Sequence, residues 1–278
     1  MVLGTAQFGM DYGIANVSGK PTKKEVFNIL SLAWEKGVWR FDTAPVYSSE
    51  SLLGEFISTN GLQDKVKVLT KIPSLDGLTD YETIIIKSTE LSLKNLGCPI
   101  DVLFFHNPND SILLLKAPEF FDGLLHDYPI SSLGVSVYEP NDVEKLLGCP
   151  LELAFQFPFN VLDRRFEKVK MPVGKRYARS ISLQGLLVSK NILRPNTNLD
   201  LIDLHSQFHN KISKYNINPV DCALSFVANS ETADYILFGV DNIDHLNDLF
   251  SKDLNNNKII KFLNEFVMMV DNKLLDPR

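Results

Sequence analysis

Residues 39–47 read WRFDTAPVY, residues 65–71 read KVKVLTK, and residues 101–106 read DVLFFH. Each is a short run rich in β-branched and aromatic side chains that closes on a polar residue, the signature of a strand ending at a rim. Asp42, Lys71 and His106 occupy the three strand ends, and Tyr47 follows Asp42 by five positions. The same rhythm extends outward through MVLGTA at 1–6, SSLGVSV at 131–137, LELAFQF at 151–157, ARSISLQ at 178–184 and DYILFGV at 234–240. That makes eight strand candidates. The near-continuous apolar runs imply strands covered on both faces, as in a parallel sheet wrapped by helices.

Amphipathic segments separate the strands: 23–37, 50–58, 81–97, 117–127, 139–148, a weaker pattern at 164–170, 219–230 and 242–251. Thr22 is placed to cap the first of these, and Gly37, Gly97 and Gly148 stand where helices should end. A final helix is expected near 257–271, while 107–116, 158–178 and 190–202 read as loop-rich. Eight βα units close into a barrel, so the expectation is an α/β fold, a single (β/α)8 TIM barrel forming one domain over residues 1–278. In such barrels the active site lies at the carboxyl ends of the strands. Asp42, Lys71 and His106 are all there.

Composition narrows the function classes. The chain has 278 residues, 45% of them hydrophobic, and a net charge of −6 with scattered Lys and Arg. No basic stripe argues for nucleic acid or an anionic membrane, and a small-molecule partner fits better. Cys98, Cys149 and Cys222 are odd in number and lack metal-ligand spacing, which points to free thiols in a reducing compartment, the cytoplasm. Neither a signal peptide nor a membrane-spanning run is read from the sequence.

Taken singly, Asp42 reads as a turn cap, Tyr47 as a core aromatic, Lys71 as a strand-edge charge and His106 as a hydrogen-bonded core imidazole. Together at one rim they form an acid–base set. A free phenol titrates near pH 10, so Tyr47 needs a neighbouring cation to become a useful proton donor at neutral pH. Lys71 can be that cation, and Asp42 can hold it charged and in place. His106 then orients a substrate carbonyl and steadies the developing oxyanion. No side chain here carries hydride, so a nicotinamide cofactor is implied by the chemistry.

The sequence resembles the aldo-keto reductases along nearly its whole length. LGTAQFG at 3–9 is similar to the family's first strand and turn, and FDTAPVYSSESLLG at 41–54 to its most specific signature. LTK, FFHNP, GVSVY, FQFPFN, SLQGLL and LFGVDNIDHLNDLF follow in family order. The resemblance implies NAD(P)-dependent carbonyl reduction with a catalytic tetrad at Asp42, Tyr47, Lys71 and His106. It further implies that Gly4, Thr5, Ala6 and Asp42 approach the cofactor, with Ser136 and Gln156 beside the nicotinamide amide. Arg179, Ser180, Gly239, Val240, Asp241 and His245 complete the implied cofactor site, and no metal is implied.

Three positions depart from the family pattern. Val137 stands where Asn is common, removing one carboxamide partner. Arg179 stands where many members place an aromatic ring against the nicotinamide; its guanidinium can stack there, reach a phosphate, or serve as a surface charge. Asp241 stands where a basic residue often grips the 2′-phosphate of NADPH, and residues 237–250 contain no Lys or Arg. Between NADPH and NADH, the carboxylate favours NADH, because it accepts hydrogen bonds from an unmodified ribose. Asp241 and Asp244 also suit a helix N-terminus, and Lys252 and Arg179 remain phosphate ligands from other directions.

The expected substrate is a small-molecule aldehyde or ketone. An open mouth with Asn107, Asn109 and Asp110 suits a sugar or sugar derivative. Three other readings stand beside reduction, the first two a nicotinamide-binding regulatory or scaffold subunit of the same fold and a sugar dehydrogenase running in the oxidative direction. A barrel lyase or epimerase using the same four residues is the third.

Overall fold

The computed structural model of the chain describes residues 1–16, 19–189 and 196–275. Eight strands form it: β1 (Val2–Gly4), β2 (Arg40–Asp42), β3 (Lys67–Ile72), β4 (Ile100–Phe105), β5 (Leu133–Ser136), β6 (Leu153–Pro158), β7 (Arg176–Arg179) and β8 (Tyr235–Phe238). Each pairs in parallel with its neighbours in chain order, and β8 returns to β1, closing the barrel. Helices cover the outside, so most strand residues are buried on both faces, with β8, half-buried except at Phe238, the least covered.

Two apolar clusters divide the core. The larger one joins outward strand residues such as Leu3, Phe41, Val68 and Phe155 to the helices. The smaller fills the barrel interior with Val2, Leu69, Val102, Phe104, Ala154 and Tyr177. On β5 the inward position is Gly134, where a Cβ would fall 2.6 Å from the Phe104 ring, so glycine makes room for that ring.

Because side chains alternate along a strand, the residue two positions beyond an interior one also faces inward, one layer nearer the carboxyl rim. That step leads from Val2 to Gly4, from Leu69 to Lys71, from Phe104 to His106, from Gly134 to Ser136, from Ala154 to Gln156 and from Tyr177 to Arg179. The register sets Gly4 beside Asp42 and Ser136 beside Gln156, while Lys71 stands beside Phe104 and Gln156 beside Tyr177, the stagger that a tilted, closed barrel requires. A polar layer therefore sits directly on an apolar one.

The helix Lys23–Glu35 starts at a capping box in which Thr22 and Glu25 satisfy each other's backbone N–H. It buries Val26, Ile29, Leu30 and Ala33 as one stripe. Gly37 and Gly97 end their helices at φ +82° and +63°, as expected. Gly148 follows a turn instead, because the helix before it is short, Pro140–Glu144. Residues 164–170 form turns rather than a helix, and the final helix is Asn257–Glu265.

Two larger differences lie after β7. The strand expected at 178–184 stops at Arg179, since Ser180, Leu183 and Gln184 all take positive φ. A helix at Leu199–Ser213, capped by Asn198, takes up residues 199–202 of the stretch read as loop, and 190–195 of that stretch fall outside the described residues. It buries Leu201, Leu204, Phe208 and Ile212, a helical stripe interrupted by polar residues. Among the described residues no helix is long and apolar enough to cross a membrane.

Candidate active site

Asp42 and Lys71 form a buried ion pair at the carboxyl rim, with residue exposures of 3% and 2%. Lys71 Nζ donates to Asp42 Oδ1 at 2.8 Å, to Asp42 Oδ2 at 2.9 Å and to the Thr43 carbonyl at 2.8 Å. An ammonium has three N–H groups, and three acceptors surround it. Gln156 Nε2 adds a fourth constraint by donating to Asp42 Oδ2 at 2.7 Å. Burying two charges is costly, and this pair meets the cost by pairing and full hydrogen bonding.

Tyr47 ends a 3₁₀ turn, Pro45–Tyr47, that Pro45 pre-bends with its fixed φ. The Lys71 Nζ lies 5.0 Å from the centroid of the Tyr47 ring. His106, just past β4, meets Tyr47 edge to face, with ring centroids 5.9 Å apart at 85°. The four tetrad positions expected from the sequence thus converge.

Behind them runs a directed chain of hydroxyls. Thr5 Oγ1 donates to the Asp42 carbonyl at 3.0 Å, which uses its one proton. Ser49 Oγ, 2.8 Å away, must then donate to Thr5, leaving it to accept from Thr43 Oγ1 at 3.0 Å. Thr5 is fully buried and serves this chain rather than facing a ligand.

A cavity of about 960 Å³ opens over the tetrad. Gly4, Ala6, Asp42, Tyr47 and His106 line its floor and near wall, with Ser136 and Gln156 beside them. Arg179 and Ser180 form one flank, and Gly239, Val240, Asp241 and His245 form the far end. A volume at the upper end of small-molecule sites suits a dinucleotide. At Gly239, at the far end, a Cβ would lie 2.2 Å from Gln7 Nε2, the end of a flexible side chain that would have to turn aside. Gln156, expected beside the amide, also anchors Asp42. Among the described residues no group of three or more His, Cys, Asp or Glu is placed to hold a metal.

The departing positions acquire definite contacts. Val137 is buried, and its carbonyl accepts from Arg179 Nη2 at 3.1 Å. The Arg179 guanidinium stacks 4.2 Å over the Tyr138 ring, and its buried Nε has no partner among the described residues. Asp241 Oδ2 lies 3.5 Å from His245 Nδ1, and the Asp241 carboxylate raises His245 above the ordinary imidazole range, aided by Asp244 and Asp248 against partial burial. Asn242 caps the following helix, its Oδ1 accepting from His245 N at 2.9 Å. Lys252 is tied to Asp248 at 2.6 Å and Asp221 at 3.5 Å.

The sequence reading missed several lining residues. Met10, Tyr12 and Val46 flank the mouth, Tyr138 stacks under Arg179, and the turn after β7 closes one side. Their only sequence signal was adjacency to recognised segments. Asn107, Asn109 and Asp110, expected at the mouth, do not line it. Asn107 Oδ1 accepts from Asn109 N at 3.1 Å, and Asp110 accepts from Leu75 N at 2.8 Å, so Asn107 holds its own turn and Asp110 ties it to the loop after β3. Burial raises the Asp110 carboxyl above the ordinary carboxylate range.

The closed parallel barrel thus sets a buried carboxylate–ammonium pair, a phenol and an imidazole, an acid–base group, beneath a cavity large enough for a dinucleotide. The chain belongs to the aldo/keto reductase family, whose model matches residues 1–257. That family's reaction is generally NAD(P)-dependent carbonyl reduction. The chain is 30% identical over 182 residues to a provisionally named voltage-gated potassium channel subunit beta of Schizosaccharomyces pombe, covering 58% of this chain and 52% of that protein. It is 29% identical over 172 residues to aflatoxin B1 aldehyde reductase member 2 of Rattus norvegicus, covering 56% and 47%. The chain thus spans about half the length of the curated relatives it matches. In fold it is similar to the crystal structure of a provisionally named aldo-keto reductase from Pseudomonas aeruginosa, with a TM-score of 0.65, 19% identity, and 90% and 87% of the two chains covered.

Proposed function

We propose that this chain reduces an aldehyde or ketone to an alcohol, with Tyr47 as the general acid and residues 1–278 acting as one domain. The observation that carries the reading is the Asp42–Lys71 pair, held by every available donor directly beneath the Tyr47 ring. A carbonyl oxygen arriving between Tyr47 and His106 meets two proton donors. Tyr47 gives its O–H proton as the oxygen gains charge, and the Lys71 ammonium stabilises the phenolate left behind. Asp42 keeps Lys71 charged and fixed, and Gln156 keeps Asp42 from turning. His106 orients the carbonyl. Gly4, Ser136, Arg179, Gly239 and Asp241 would hold a nicotinamide cofactor, which would supply the hydride.

For the nucleotide, the proposal favours NADH. Asp241 and Asp248 both face the far end of the cavity, residues 237–250 carry no Lys or Arg, and Lys252 is engaged by two carboxylates. A 2′-phosphate there meets negative charge, whereas a free ribose hydroxyl meets an acceptor. As for substrate, a sugar-like carbonyl rests on the size of the cavity alone, since Asn107, Asn109 and Asp110 do not line it. The three free cysteines are in keeping with a reducing compartment such as the cytoplasm.

The test follows nicotinamide absorbance with NADH or NADPH against sugar, aliphatic and aromatic carbonyls, and with the matching alcohols and NAD⁺. Turnover with carbonyls, faster with NADH at limiting nucleotide, is the expected result. Tight nucleotide binding without turnover on any pair would instead support the regulatory reading, which the name of the Schizosaccharomyces pombe relative brings into view.

A further inference from the structure

We propose that Gly9 and Ser49 are positioning residues for Tyr47, clamping the turn that carries it from two sides. Gly9 closes a single helical turn, Ala6–Gly9, anchored in the core by Phe8 at 1% exposure. Its Cα faces the Tyr47–Ser48 peptide so closely that a Cβ built there would fall 1.7 Å from the Tyr47 carbonyl oxygen. The same atom would lie 2.7 Å from the carbonyl carbons of both Tyr47 and Ser48. Ordinary contact needs about 3.4 Å or more, so one backbone must move by well over 1 Å.

Backbone conformation does not explain the glycine. Gly9 has no positive φ, and alanine at a helical position is ordinarily favourable. The requirement is therefore close approach of two backbones, with no side chain between them. Gly9 does not line the cavity, so it touches neither substrate nor nucleotide directly.

Ser49 holds the other side. It is 1% exposed and sits at the centre of the hydroxyl chain, donating to Thr5 on the β1 side and accepting from Thr43 on the β2 side. Between Gly9 and Ser49 lies Ser48 at φ +57°, a left-handed conformation that a non-glycine residue keeps only when its surroundings fix it. Such a turn relaxes if either support is lost. A shift of its backbone carries the Tyr47 ring away from Lys71 Nζ, at 5.0 Å, and from the His106 ring, at 5.9 Å.

This inference rests on Tyr47 being the acid, and its test separates the two ideas. With ¹³Cζ-tyrosine label, the Tyr47 resonance is assigned from its loss in Tyr47→Phe. Gly9→Ala should shift that resonance while leaving most of the other seven of the chain's eight tyrosines in place. It should lower kcat about 100-fold, the cost of roughly 1 Å of misplacement, with nucleotide affinity unchanged. In a Tyr47→Phe background, Gly9→Ala should cause no further loss. An unmoved Tyr47 signal, or the same fold loss in both backgrounds, overturns the proposal. If Tyr47→Phe keeps full turnover, the acid assignment fails, while the resonance shift still decides whether Gly9 places the ring. Should Gly9→Ala not fold, Ser49→Ala carries the same cycle, with an expected kcat loss of about tenfold and the same contradicting outcomes.

Discussion

The two ends of the cavity are built on opposite principles. At the tetrad end, Lys71, Asp42, Gln156, Thr43 and the hydroxyl chain are buried and hydrogen-bonded to one another, and most of them stand at strand ends. At the far end, Asp241 and His245 sit on a loop and the first turn of an exposed helix, 3.5 Å apart, with the His245 side chain 57% exposed. Beside them the turn after β7 runs through Ser180, Leu183 and Gln184 at positive φ. The first region is preorganised for one proton transfer; the second has room to settle around what binds. Chemistry common to a family needs the former, while choice of nucleotide and substrate resides in the latter.

Breaking the rigid end should cost most. Lys71→Met leaves the Asp42 carboxylate buried without its cation, so stability should fall by about 3–5 kcal/mol in denaturant unfolding, and turnover should be lost. A loss below about 1 kcal/mol would mean that the pair is not the fixed centre described here.

At the adaptable end the effects are smaller and fall on selectivity. Asp241→Arg should invert the nucleotide preference in fluorescence titrations while kcat with saturating cofactor changes little. The wild-type preference should also depend on pH. His245 is raised by the Asp241 carboxylate beside it, so its proton is held tightly in the folded state. That favourable pairing is fully present below the ordinary imidazole range and is lost as pH rises through the elevated value. With imidazolium present, Asp241 is partly neutralised and a 2′-phosphate is repelled less. The preference for NADH should therefore widen as pH rises through the elevated His245 range; a ratio that narrows would contradict the pairing. Smallest is Asn242→Ala, which removes only the helix cap on His245 N and should lower stability by about 1 kcal/mol.

The same division governed what could be read from the sequence. Asp42, Lys71 and His106 were legible because each ends an apolar strand, and strand alternation then dictates that they face inward together. The barrel was legible for the same reason: eight such runs recur with helical stripes between them. Met10, Val46 and Tyr138 were not legible as cavity residues, because nothing periodic marks a loop residue that folds back over a rim. The polarity of Asn107 and Asp110 misled in the opposite sense, since short polar side chains bond backbone in their own turn or the next loop as readily as a ligand. The helix at Leu199–Ser213 was obscured by Asp, His and Gln between its apolar positions, and Arg179 read ambiguously until Tyr138 was found beneath it.

Tyr47→Phe separates the two ends most directly, because it removes one oxygen from the rigid region and nothing from the other. The account predicts that carbonyl reduction falls by at least about 1000-fold while NADH affinity in fluorescence titration stays within about twofold of wild type. Undiminished turnover in that variant would contradict the assignment of Tyr47 as the acid, and with it the central role given to the Asp42–Lys71 pair beneath it.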